Sequence, residues 1–275
     1  MTSRNGNKKL SAAVRKTGRG SRGIAGQTAA ASRTEPLQAR LAECMADLAS
    51  TQKELESFCY SVSHDLRAPL RCIDGFSHAL LHEFGAKMEP SAREYLQRIV
   101  DSGKKMAKLI DELLALSRIQ RADLVTEELN LSDIGTQIIN GLRKAEPERN
   151  VQFMAAKAIP VRADRGLTTS MLEKLLENAW KFTSRESSAQ IEFSEVALEG
   201  ERVFVVRDNG VGFDPAYAGK LFKAFQRLHS VTDFPGVGMG LAIARAVILR
   251  HRGRVWGESD GNKGASFYFT LGKAS

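Results

Sequence analysis

Phe58-Cys59-Tyr60-Ser61-Val62-Ser63-His64-Asp65-Leu66-Arg67-Ala68-Pro69-Leu70 is the stretch from which the rest of the chain is read. Phe58, Val62, Leu66, Leu70 and Ile73 recur at steps of three and four, which predicts a helix with one apolar stripe. His64 stands two residues from both Val62 and Leu66, about 200° around a helix of 3.6 residues per turn. It therefore faces solvent, beside Ser57, Ser61, Ala68 and Arg71. An exposed histidine is ordinarily just solvated, and helix geometry alone allows that here. Its chemistry allows more. A neutral imidazole attacks phosphorus near neutral pH, and the adjoining Asp65 can hold its other ring nitrogen and take the proton. His78 and His82 lie four apart without a third ligand in view and read as a solvated helix face.

Upstream, Leu41, Leu48, Leu55 and Val62 repeat every seven residues, a coiled-coil seam broken at Thr51 that enters the first stretch without Gly or Pro. Downstream the helix runs on through Phe76, Leu80 and Phe84, with a bend expected at Pro69. Gly85 to Pro90 reads as a turn. Ser91 reads as the cap of a second helix, striped by Tyr95, Ile99, Met106, Leu109/Ile110, Leu113/Leu114 and Leu116. Two helices with one stripe each close no core alone. A second copy completes a four-helix bundle, so a homodimer is expected.

The first 34 residues hold eight of the 40 basic residues and none of the 32 acidic ones, so the excess charge of +8 sits in a Gly/Ser/Ala/Arg-rich tail. Residues 1–36 read as a disordered basic leader. A tether to nucleic acid or acidic lipid and a transit-like peptide are the weaker readings of the same composition. The neutral body and the lack of a recognition motif argue against specific nucleic-acid binding. No apolar run approaches the roughly 18 to 20 residues that span a bilayer. Cys44, Cys59 and Cys72 are odd in number and lack metal-pair spacing. A cytoplasmic protein with reduced thiols is expected.

Beyond about Leu129 the pattern alternates. Helices are expected at 131–147, 168–182 and 240–251, and strands at 151–155, 191–198, 202–208, 254–258 and 265–271. Consecutive hairpin-like strands favour an α+β sandwich with a mixed sheet over a doubly wound fold. Three segments there carry chemistry. Asn178 and Lys181, three apart on one helix face, suit a hydrated Mg²⁺ ion and a phosphate. Asp208-Asn209-Gly210-Val211-Gly212 ends an apolar strand, where a carboxylate accepts an adenine amino group and glycine lets the base approach. Gly236-Val237-Gly238-Met239-Gly240 opens a helix, where backbone amides make an anion site. Separately these are a common turn and a weak glycine run. Leu241 and Asp233-Phe234-Pro235 spoil a dinucleotide fingerprint, and no Walker-type Gly-Lys-Ser/Thr occurs. The order of the three segments raises their weight.

Together the segments resemble the boxes of the sensor histidine kinases. Ser63 to Leu70 is similar to the H box, Leu175 to Thr183 to the N box, and Asp208 to Gly212 to the first glycine box. Leu221 to Leu228 resembles the F box and Gly236 to Gly240 the second glycine box. The likeness covers roughly residues 40–272, and the wording around Phe225-Gln-Arg-Leu-His229 and His251 to Trp256 is similar to phytochrome-type kinases.

The resemblance implies a coiled-coil linker and HisKA-type helical hairpin at 37–122, forming a dimeric four-helix-bundle phosphoacceptor domain. A Bergerat-type α/β sandwich, the ATP-binding domain, would follow at 127–275. It also implies an ATP-dependent autokinase with ATP and Mg²⁺ as cofactors. His64 would be the phosphoacceptor and Asp65 its acid/base partner. Asn178 would ligate Mg²⁺, Lys181 and Arg227 would touch phosphates, and Asp208 would read adenine. Gly210, Gly212, Gly236, Gly238 and Gly240 would line the nucleotide, with Gln226 to Pro235 as a mobile lid. The phosphoryl group would then pass to an aspartate of a response regulator. With no sensor domain in the sequence, input is expected from a separate protein, through the seam at 37–62 or the tail.

Two positions depart from the family pattern. Lys174 stands where a second Asn is common, so it either touches phosphate or weakens the Mg²⁺ site. Ala68 stands where phosphatase-competent members carry Thr or Asn, and a methyl group orients no water, so little phosphatase activity is expected. Chaperone, mismatch-repair and topoisomerase relatives of the same nucleotide fold lack an H box. A scaffold that has lost catalysis fits less well with His64, Asn178 and Asp208 all in place.

Overall fold

Helix α1 spans Ser21–Phe84, so it begins inside the stretch expected to lack order. The run Thr28-Ala29-Ala30-Ala31 supplies the helix propensity that the charge count overlooks. The computed structural model describes residues 21–119, 123–230, 233–261 and 263–272, with side chains from residue 39 onward except Gln52 and Glu56. The first 20 residues of the basic tail lie outside this set. The chain divides between Leu55 and Glu56 into two compact units. In the first, the seam residues Leu41, Leu48 and Leu55 are all exposed on the single chain.

In the second unit α1 runs unbroken through Pro69. Helix α2, Pro90–Ile119, starts at the proline, so Ser91 lies within the first turn and is not its cap. Proline suits a first helical position because no partner is needed for its missing N–H. The face that α1 buries is also a correction. Ser63, Leu70 and Ser77, seven apart, are buried, whereas Phe58, Val62, Leu66, Ile73 and Phe76 are exposed. Within one chain α1 meets α2 through small side chains, and a Cβ at Gly103 would lie 3.6 Å from Leu70. Leu70, Ile110 and Leu114 form a small cluster there, and Arg67 donates to Asp111 at 2.6 Å. Periodicity identified the apolar side but not the neighbour that covers it. Tyr95, Ile99 and Met106 of α2 are likewise exposed.

The remainder of the second unit is β1 (Thr126–Asn130), α3 (Leu131–Ala145), β2 (Val151–Ala155), β3 (Pro160–Asp164), α4 (Arg165–Phe182), β4 (Ala189–Leu198) and β5 (Glu201–Asp208). A 3-10 helix (Pro215–Lys220), α5 (Gly240–Arg250), β6 (Val255–Ser259) and β7 (Ala265–Phe269) follow. The five-stranded sheet runs β2-β4-β5-β7-β6, with β2 parallel to β4 and the other pairs antiparallel. This is the mixed α+β layering that the pattern predicts. β1 and β3 form a separate antiparallel pair that the pattern misses. Both strands are only five residues long and carry two charged residues each; β1 does not alternate, and β3 buries just Val161 and Ala163. Helix α4 starts at Arg165, three residues before the expected start, because the Asp164 carboxylate caps it, accepting from Leu167 N–H at 2.9 Å. Among the described residues no helix is long and apolar enough to cross a membrane.

The core sits between the sheet and α3, α4 and α5, with Leu172, Leu175, Leu176, Ile191 and Phe193 fully enclosed. Leu176→Ala is expected to destabilise the protein by about 2 to 5 kcal/mol in denaturant unfolding, because such a site cannot collapse around the void. A loss below about 1 kcal/mol would contradict this packing. Helix α2 also joins the core through Ile119, Leu109 and Leu116, and it packs on α5.

Candidate active site

Helix α4 lays Lys174, Asn178 and Lys181 along one side, while Leu175, Leu176 and Ala179 anchor the other in the core. That side faces a pocket closed by Asp208, Gly212 and Phe213 at the end of β5, by Gln226, Leu228 and His229, and by the loop Phe234–Gly240. Asp208 ends β5 and is 4 % exposed. Its Oδ1 accepts from Gly210 N–H at 3.0 Å. Its Oδ2 is buried without a hydrogen-bond partner among the described residues. Burial pushes its pKa up to about 6, against the pull of the Gly210 and Ala265 backbone N–H groups. A buried acceptor left open beside a cavity is an invitation to a donor from a ligand.

Gly210 is fixed by close approach, since a Cβ there would stand 2.3 Å from the Phe182 carbonyl oxygen. Gly238 adopts φ +77° and a Cβ would meet the Gln226 carbonyl oxygen at 2.8 Å. Arg227 donates to the carbonyls of Gly236 at 2.5 Å and Phe234 at 2.7 Å, so two of its N–H groups brace the glycine loop. Helix α5 opens at Gly240 without a side-chain cap, which leaves its first amides for an anion. Gly240 borders the pocket together with Gly212, Gly236 and Gly238, whereas Gly210, expected to line it too, instead donates to Asp208.

The pocket is strongly cationic on one wall. Burial lowers the Lys181 pKa to about 8, with Arg227 and Lys108 adding repulsion. Its ammonium sits 4.2 Å from the centre of the Phe182 ring. Lys174 pairs with Glu177 at 3.3 Å. Sequence reasoning missed three features of this site. His229 Nε2 lies 2.9 Å from the Gly212 carbonyl oxygen. Its ring packs on Phe182 and Phe234 at 5.1 and 5.5 Å. Lys108 and Glu112 enter from α2. Of the segment expected to be a lid, residues 231–232 lie outside the described set.

His64 and Asp65 are elsewhere. His64 is exposed on α1 with Nδ1 3.1 Å from Asp65 Oδ1, and neither residue lines the pocket. Among the described residues no group of three or more His, Cys, Asp or Glu is placed to hold a metal. His78 instead lies 3.5 Å from Asp74.

Residues 54–122 match the His Kinase A (phospho-acceptor) domain, and residues 163–275 match the histidine kinase-, DNA gyrase B- and HSP90-like ATPase family. The chain belongs to the sensor histidine kinases, as their transmitter region. Among its histidine-kinase relatives, cyanobacterial phytochrome A of Nostoc is 34% identical over 231 residues, 84% of this chain and 30% of that protein. The methanogenesis regulatory histidine kinase FilI of Methanothrix harundinacea is 34% identical over 232 residues, 84% of this chain and 26% of that protein. The chain thus spans less than a third of these kinases. Two solved structures share the histidine-kinase fold. Full-length ShkA, crystallised with AMPPNP, gives a TM-score of 0.57 at 23% identity over 79% of this chain and 46% of its own. ThkA, in complex with the response regulator TrrA, gives 0.56 at 18% identity over 81% and 64%.

Proposed function

We propose that the chain is an ATP-dependent protein-histidine kinase that phosphorylates its own His64 and passes the group to an aspartate of a response regulator. One observation carries this reading. A buried carboxylate oxygen of Asp208, without a hydrogen-bond partner among the described residues, shares a pocket with Lys181, Lys174 and the uncapped start of α5. The first suits the amino group of adenine, and the cations and amides suit a polyphosphate. The AMPPNP and response-regulator complexes of ShkA and ThkA support the ligand and the partner.

Asp208 Oδ2 accepts the adenine amino hydrogen, while Gly210 N–H holds Oδ1 in place. Lys181 and the α5 amides take the phosphates, and Arg227 keeps the loop that presents them. Asn178 lines the pocket, and its amide oxygen suits a Mg²⁺ ion, which keeps most of its waters. When bound, it would neutralise charge on the phosphates. At His64, Asp65 Oδ1 accepts a hydrogen bond from Nδ1–H, which leaves the Nε2 lone pair as the nucleophile. A bond forms from Nε2 to the γ-phosphorus as the bond from that phosphorus to the bridging oxygen breaks. ADP departs, and Asp65 takes the Nδ1 proton. Because His64 lies outside the pocket, the ATP-binding module must move, or the pocket of a second copy must supply the nucleotide.

A second copy also suits the exposed apolar side of the hairpin, where Phe58, Leu66, Ile73 and Met106 stand uncovered. The unpaired Cys44, Cys59 and Cys72 suit the cytoplasm, where ATP is available.

Incubation with γ-labelled ATP and Mg²⁺ is expected to leave acid-labile, base-stable label on the chain, and an unlabelled chain would overturn the proposal. The two shifted groups also set a pH window. Asp208 is a carboxylate above about 6, and Lys181 an ammonium below about 8. Nucleotide affinity is therefore expected to fall on both sides of that range. Lys181→Arg keeps its charge at every accessible pH, so it should remove only the alkaline limb. An alkaline limb that survives in Lys181→Arg would detach Lys181 from the phosphates.

A further inference from the structure

Helix α2 belongs to the hairpin that carries His64, yet Lys108 and Glu112, one turn apart on it, line the nucleotide pocket. They reach it because α2 is seated firmly. Ile119 is part of the main core, Leu109 and Leu116 pack against that core, and α2 lies on α5. Glu112 is half-buried, and its Oε2 is enclosed without a hydrogen-bond partner among the described residues. An unpaired carboxylate in such a place is costly unless nearby cations compensate. The cations that act on it are Lys108, Lys174 and Lys181, and only Glu177 opposes them; burial is the largest influence and raises its pKa. Two of those cations are the α4 lysines that face the pocket.

We infer that Glu112 is an internal anion of the nucleotide site, which offsets the charge of the pocket lysines in the empty protein and competes with the phosphates of ATP for their influence. The inference rests on the reading of this pocket as the ATP site. The phosphates bring negative charge to the same cations, so they meet Glu112 as a like charge. Nucleotide binding and the seating of α2 then oppose each other, and by linkage each weakens the other by the same factor. Glu112 thereby sets the nucleotide affinity of the site, and ATP entry loosens the module from the hairpin whose histidine it must reach.

The test is equilibrium binding of ATP carrying a ribose-linked fluorophore to the full chain, for wild type and Glu112→Gln, in EDTA and in Mg²⁺. Glutamine keeps the shape and removes the charge. Affinity in EDTA is expected to rise at least about fivefold. Structural damage would move it the other way. Glu112→Ala is expected to shift affinity in the same direction, so either variant decides if the other fails to fold. Unchanged or weaker binding in EDTA would overturn the inference. So would a loss of affinity confined to Mg²⁺, which would instead make Glu112 a metal ligand. If the wild type binds no nucleotide, the ATP-site reading itself fails. If the wild type binds and the variants bind no more tightly, only the role of Glu112 fails.

Discussion

His64→Gln is expected to leave no detectable phosphorylation of the chain, a loss of at least roughly a thousandfold, as for removal of an enzyme nucleophile. The size follows from the chemistry. A glutamine amide has no lone pair of comparable basicity to offer phosphorus. The specificity of the effect follows from the structure. His64 is exposed, its one described side-chain contact is Asp65, and it is absent from the pocket lining. Melting temperature and ATP affinity should therefore match the wild type. A chain that still carried stable label after this change would place the phosphoacceptor elsewhere. A chain that lost label together with nucleotide affinity would mean that residue 64 acts on the pocket.

The separate fates of those two readouts reflect what the sequence could reveal. Asn178 and Lys181 were legible because three residues on a helix define one face whatever surrounds it. Asp208 was legible because an apolar strand ending in Asp-Asn-Gly places a carboxylate at a turn. The five strands of the main sheet were visible in their β-branched and aromatic runs. β1 and β3 were not, because Thr126-Glu-Glu-Leu-Asn130 and Pro160-Val-Arg-Ala-Asp164 pair mainly with each other and have little apolar signal. The face of α1 that packs on α2 was misread for a related reason. Ser63 and Ser77 are small enough to bring two helices together, and a hydrophobic pattern gives them no weight. Lys108, Glu112 and His229 were invisible as site residues because each reaches the pocket through packing between distant segments. No spacing rule connects α2 with α4.

Lys174 and Arg227 show the same limit from the other side. Arg227 was expected at the phosphates and Lys174 either there or beside the Mg²⁺ site; both line the pocket, but their partners qualify those expectations. Arg227 is committed in part to the carbonyls of Phe234 and Gly236, and Lys174 is paired with Glu177. Lys181 has no such carboxylate or carbonyl partner among the described residues, and its lowered pKa reports burial first and then the other positive charges around it. An anion entering the pocket relieves that repulsion, which is why phosphate and Glu112 contend for the same place.

Asp208→Asn is expected to weaken ATP binding by roughly 30- to 1,000-fold, about 2 to 4 kcal/mol, while leaving the protein as stable as before or more so. Asparagine retains an oxygen for Gly210 N–H, so the turn survives. At Oδ2 it places an NH₂ donor against the adenine amino group, and a charge-assisted bond becomes a donor facing a donor. The stability sign is opposite to that of a damaged core. The folded pKa of Asp208 is raised from 3.8 to about 6, so folding favours its protonated form. That stabilisation is complete below pH 3.8 and is lost as pH rises through about 6. Above pH 6 the wild type carries a buried, half-satisfied carboxylate that the neutral amide removes. At a pH of about 7.5 the variant should therefore melt at or above the wild-type temperature while failing to hold nucleotide. Wild-type affinity in the variant would dismiss Asp208 as the adenine acceptor. Lost affinity accompanied by a large drop in melting temperature would mean that the carboxylate serves the fold and not the ligand.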